Sequence, residues 1–89
     1  MIERDIQIIN KLGLHARAAA KFVTLASQYR SKVELILKGQ RINGKSIMGV
    51  MMLAASQGTE LILVTEGEDE VAAIDALDQL IKNRFGEEE

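Results

Sequence analysis

The sequence predicts an α+β domain: an antiparallel sheet with helices packed on one face, in the element order β-α-β-β-α-β-α. Two observations carry this. Apolar residues switch between a period of two and helical spacing along the chain, which marks alternating strands and helices. At 89 residues, 47% of them hydrophobic and 27% charged, the chain has the length and composition of one globular domain, residues 1–89. Two consecutive strands before the second helix favour antiparallel pairing over a parallel, doubly wound sheet.

Each element follows from its residues. Ile2, Ile6 and Ile8 alternate with polar neighbours, with Arg4 as the one exception on that face, and predict a strand over about residues 2–9. Asn10 to Leu14 reads as a loop. Ala19, Phe22, Val23, Ala26 and Tyr29 fall at helical spacing in an alanine-rich stretch, predicting a helix from Ala16 to Tyr29. Val33, Leu35 and Leu37 alternate again. Lys38-Gly39 turns the chain into a short third strand, Gln40 to Ile42. Ser46 then precedes the apolar run Ile47 to Leu53. A serine hydroxyl accepts a hydrogen bond from a free first-turn amide, so a short helix capped by Ser46 is expected. Within that run Met52 and Leu53 read as core, and Gly49 as a point of close approach by a partner. Leu61 to Thr65, between Gly58 and Gly67, reads as a buried strand. Val71, Ile74, Leu77 and Ile81, with Leu80 and Phe85, form the apolar face of a long last helix. Asp69 and Glu70 stand at its start, Lys82 and Arg84 near its end and Gly86 just past it, as the helix dipole and a glycine stop favour. Gly13, Gly39, Gly44 and Gly58 read as turn glycines at positive φ. The tail Glu87-Glu88-Glu89 reads as solvated and frayed.

Composition removes many kinds of chemistry. With no cysteine there are no disulfides, thiolate zinc sites or cysteine nucleophiles, and one histidine does not make a catalytic zinc site. No metal or cofactor is expected. A net charge of −2 and three aromatic residues argue against a nucleic-acid partner. The mixed-charge N-terminus carries no signal peptide. Ile47 to Ala55 falls well short of the ~20 residues of a membrane span, so neither membrane contact nor export is expected. A cytoplasmic monomer is the expectation.

The single histidine, His15, is the residue to weigh. An isolated histidine is more often structural or merely solvated. Here it stands at the end of a loop just before a helix, with Arg17 two places on. Helix starts offer unpaired amides and the positive end of the dipole, so an anion at the imidazole would meet amides and a guanidinium together. Imidazole is also a reversible nucleophile near neutral pH. The pair reads as a phosphoryl-carrying histidine with a phosphate-stabilising arginine. On spacing alone, Arg17 reads equally as a solvated first-turn side chain.

At these residues a resemblance appears. The run from Gly13 to Val23 is similar to the active-site segment of the HPr family, the histidine phosphocarriers of the bacterial phosphoenolpyruvate-dependent phosphotransferase system. Lys45 to Ala55 resembles that family's regulatory-serine segment, and Gly58-Thr59-Glu60-Leu61 its entry to the fourth strand. Together the three blocks span most of the chain. The resemblance implies an open-faced β-sandwich, a four-stranded antiparallel sheet with three helices on one face. It implies that His15 takes a phosphoryl group on Nδ1 from phosphorylated Enzyme I and passes it to an EIIA-type acceptor, for sugar transport or regulation. Such a chain is a carrier without turnover of its own.

The resemblance further implies docking through Ile47, Met48 and Met51, and phosphorylation of Ser46 by HPr kinase/phosphorylase. Two positions depart from the common family pattern. Residue 18 is alanine where many members have proline, and residue 12 is leucine where many have a polar side chain near the histidine. Two other functions compete: a regulatory interaction protein of the same fold acting through Ser46 and docking, and a small ligand-binding sensor domain. Both leave His15 and Arg17 without a purpose.

Overall fold

The structure, a computed structural model, describes all 89 residues. Its elements are β1 (Ile2–Gln7), α1 (Ala16–Ala26), β2 (Lys32–Leu37), β3 (Gln40–Asn43), α2 (Ile47–Met52), β4 (Glu60–Glu66) and α3 (Glu70–Lys82), followed by a 3-10 turn at Arg84–Gly86. The four strands form one sheet in the order β1-β4-β2-β3, every pair antiparallel. No helix is long and apolar enough to cross a membrane.

Strand order explains the reading of each strand. β4 lies between β1 and β2, and its Leu61, Leu63, Val64 and Thr65 are buried. Ile6, Val33, Leu35, Leu61 and Leu63 face the helices. They meet Phe22 and Ala26 of α1 and Ile74, Leu77 and Ile81 of α3 in one hydrophobic core. Arg4, the exception in β1, is held by carboxylates of α3. Its Nη1 donates to Asp75 at 3.0 Å and to Asp78 at 3.2 Å, and Lys82 shares Asp78.

Several expectations need correction. β1 ends at Gln7, because Glu60 opposite it is the first residue of β4; Ile8 goes on to bond the Gly58–Thr59 loop. α1 ends at Ala26, not Tyr29. Gln28 and Tyr29 make tighter i→i−3 bonds while the chain turns toward β2. Lys45 Nζ donates to the Tyr29 carbonyl at 2.7 Å, and the Asp69 carboxylate accepts from the amides of Arg30 and Ser31, both at 2.9 Å. Asp69 therefore does not cap its own helix through its side chain. Met52 is 76% exposed, whereas Leu53 is buried. Val71 is also exposed, because nothing packs over the first turn of α3 on that side. Gly44 lacks a positive φ; its requirement is space, since a Cβ there would lie 2.6 Å from Val33 Cγ1. At Gly49 a Cβ would lie 3.0 Å from Ile42 Cγ2 and 3.3 Å from Ser46 Oγ, so packing within the chain already favours glycine there.

The largest correction is the C-terminus. α3 stops at Lys82, and Arg84, Phe85 and Gly86 follow with left-handed φ of 55°, 54° and 80°. The reversal turns Phe85 fully into the core, where Lys21 Nζ takes its carbonyl at 2.7 Å. The acidic tail is thereby led back over the molecule instead of fraying into solvent.

Candidate functional site

The loop before α1 is built to present residue 15. Gly13 has φ 67°, and a Cβ there would lie 2.5 Å from the Ala55 carbonyl, so only glycine fits. Leu14 is buried, and its amide donates to that same carbonyl at 2.8 Å. His15 then leaves the loop in an extended conformation, φ −73° and ψ 178°, as the residue before the first helical turn. Its carbonyl accepts the first helical bond, from Ala19, at 2.8 Å, but its side chain caps nothing. The amides of Ala16, Arg17 and Ala18 consequently have no partner, and no acidic side chain occupies the first turn. Ala18 is buried without need of a proline. Arg17 is exposed and makes neither a hydrogen bond nor an ion pair. The N-terminus of α1 thus carries three free amides and an uncommitted guanidinium beside one imidazole.

The imidazole has a partner that sequence reading missed. Glu87, led back by the Arg84–Gly86 reversal, meets His15 Nε2 with its Oε2 and accepts through Oε1 from Asn10 Nδ2 at 2.9 Å. Asn10 is fully buried, and its Nδ2 also donates to the Gly13 carbonyl at 2.8 Å. The Asn10 bond, followed by the His15 bond, holds the Glu87 carboxyl below the ordinary glutamate range. A shallow depression beside His15 is lined by Lys11, Leu12, Arg17 and Glu87 to Glu89. Leu12 is exposed there and offers no polar atom. The one local hint of this arrangement was Phe85-Gly86, an apolar anchor and a reversal residue directly before the acidic run.

Ser46 sits apart from this cluster, at the start of α2. Its Oγ accepts from the Gly49 amide at 3.1 Å, the predicted cap. Ile47, Met48, Met51 and Met52 of α2 are all exposed large hydrophobic side chains. No hydrogen bond joins Ser46 to the His15 cluster, although α1 and α2 pack together.

A family model described as "PTS HPr component phosphorylation site" matches residues 2–83. The phosphocarrier protein HPr of Cupriavidus necator is 56% identical over 89 residues, all of both chains. The crystal structure of HPr-C-His from Thermoanaerobacter tengcongensis superposes with a TM-score of 0.96 at 49% identity, covering both chains fully. An HPr dimer from the same organism has a TM-score of 0.79 over 98% of this chain and 100% of that one, again at 49% identity. With a family match over nearly the whole length, and a fold and sequence shared with its members, this chain belongs to the HPr family of phosphotransferase-system phosphocarriers.

Proposed function

We propose that His15 carries the phosphoryl group, on Nδ1, receiving it from phosphorylated Enzyme I and yielding it to an EIIA-type acceptor. The observation that carries this reading is the start of α1, where one imidazole adjoins three unpaired amides and the free guanidinium of Arg17. Phosphoryl transfer asks for positioning and charge stabilisation more than for covalent machinery. A helix end contributes about 0.3–1 kcal/mol, and up to ~2 when partly buried. A charge-assisted hydrogen bond adds about 1.5–3 kcal/mol. These magnitudes orient a phosphate without trapping it, as a carrier requires. Arg17, with its planar fork, is the phosphate-stabilising residue.

Docking to both partners falls to the patch of Ile47, Met48 and Met51. Adaptable methionines suit a surface that meets more than one protein. The whole chain works as one cytoplasmic unit and as a monomer, although a dimeric HPr with the same fold exists. Ser46, capping the helix that bears this patch, is the site at which HPr kinase/phosphorylase would regulate docking.

Incubation with phosphoenolpyruvate and Enzyme I tests the core of the reading. One acid-labile phosphoryl group should be gained and be absent from His15→Ala. Acid-stable label, or label that persists in the variant, would reject it.

A further inference from the structure

We propose that Asn10 and Glu87 form a positioning pair that holds the ring proton of His15 on Nε2 and leaves the Nδ1 lone pair to the incoming phosphoryl group. The inference rests on the reading of His15 as the carrier and says how its reacting nitrogen is chosen.

A neutral imidazole has one N–H and one lone pair, and the partner of either nitrogen decides which is which. Glu87 faces Nε2 with a carboxylate oxygen. The carboxyl is kept ionised, since its affinity for a proton is lowered first by Asn10 and then by His15. An ionised carboxylate only accepts, so Nε2 must donate. Glu87 cannot turn away, because its other oxygen accepts from Asn10 Nδ2. Nor can Asn10 turn over without loss. Both neighbours of its Nδ2, the Glu87 carboxylate and the Gly13 carbonyl, are acceptors. Its own Oδ1 is buried without a partner, so the side chain is held through its amino group alone. The far end of the pair is anchored by buried Phe85 and the Lys21 bond to its carbonyl.

The transfer then balances without loss of a proton. The Nδ1 lone pair attacks phosphorus, the Nδ1–P bond forms, and the donor's bond to phosphorus breaks with its electron pair leaving on the donor atom. The phosphorylated ring keeps its Nε2 proton and gains a formal positive charge, which faces the Glu87 carboxylate. In the return step the same proton stays in place, so accepting and yielding the group use one geometry.

Glu87→Gln provides a test that bulk and fold do not mimic. Glutamine has one acceptor and one donor end. With its oxygen toward Asn10 Nδ2, its amino group faces Nε2, which must then accept, and the ring proton moves to Nδ1. Glu87→Ala leaves the ring without a partner. Nitrogen-15 spectra of the imidazole in alkaline solution, where the ring is neutral, should show the parent protonated at Nε2 and Glu87→Gln shifted toward protonation at Nδ1. Phosphoryl uptake at saturating phosphorylated Enzyme I should fall in the order parent, Ala, Gln, with Glu87→Gln slower than the parent by about tenfold or more. A supporting role confined to packing predicts the reverse order, because glutamine preserves the shape. A parent protonated at Nδ1, a Glu87→Gln ring still protonated at Nε2, or uptake by Glu87→Gln as fast as by Glu87→Ala would overturn the assignment. If the parent took no acid-labile phosphate at all, the carrier reading of His15 would fail instead, and the spectra would judge the pair separately.

Discussion

Arg17 shows what a single side chain contributes when nothing in the fold holds it. Its guanidinium is exposed and unpaired, so its substitution should leave stability within about 0.5 kcal/mol of the parent. Lysine at this position keeps the charge but loses the planar fork that meets two phosphate oxygens at once. Arg17→Lys should therefore slow phosphoryl transfer both to and from His15 while thermal unfolding stays unchanged. Transfer rates equal to the parent's would reduce Arg17 to a solvated residue of the first turn. His15 and Arg17 are both legible in the sequence, because a histidine just outside a helix start is a local feature. Glu87 is not, since its meeting with His15 joins positions 72 residues apart.

At the scale of elements, α2 and the β2–α3 junction each rest on one polar side chain. Ser46 caps α2 through the Gly49 amide, so Ser46→Ala should cost about 0.5–2 kcal/mol in thermal unfolding. Ser46→Asp can still accept that bond and places a carboxylate at the positive end of the dipole, so it should match the parent's stability. Beside the exposed patch of Ile47, Met48 and Met51, the same charge should weaken phosphorylation of His15 through affinity for Enzyme I, and less so at high salt. A stable Ser46→Asp protein that takes phosphate as well as the parent would leave only the cap. Asp69 joins α3 to the start of β2 by accepting from Ser31 Oγ and from the amides of Arg30 and Ser31. The Ser31 hydroxyl, then the Arg30 amide, lower its carboxyl to about 2. A folded-state value below the ordinary 3.8 means that Asp69 stabilises the fold fully above about pH 4. That contribution is lost as the pH falls through about 2. Asp69→Asn should be less stable at neutral pH and show a shallower loss between pH 4 and 2 in acid-unfolding curves. An acid profile superimposable on the parent's would dismiss the linkage.

At the scale of the whole molecule, the fold places one layer of helices over one face of a sheet and leads its last residues back to the start of α1. Phe85 is the junction between the two, fully buried in the core while its neighbours turn the chain back toward α1. Phe85→Ala should destabilise the protein by about 3–5 kcal/mol. That is a large part of the 5–15 kcal/mol typical of a domain, and it should appear as a clear drop in melting temperature. It should also loosen the Glu87 contact, so that phosphoryl uptake falls even at temperatures where the variant remains folded. A variant that melts with the parent would mean that the C-terminal turn is an appendage to the core.

Local pattern in the sequence determined most of the architecture: the β-α-β-β-α-β-α order, the Ser46 cap and His15 at a helix start. These depend on neighbours within a turn or two, and periodicity and capping are interactions of that range. The HPr-like blocks carried the family, and the match over residues 2–83 agrees with them. Periodicity alone did not say which apolar faces would find a partner. Met52 and Val71 lie on such faces and are exposed, while Arg4 sits on the inner side of β1 because Asp75 and Asp78 of α3 come to meet it. The path of the C-terminus was likewise a tertiary decision. Two non-glycine residues adopt left-handed φ there, against their local preference, because burial of Phe85 and the Lys21 bond outweigh the strain. That path alone brings Glu87 to His15, and no spacing within the chain encodes a contact made by folding its end back upon its beginning.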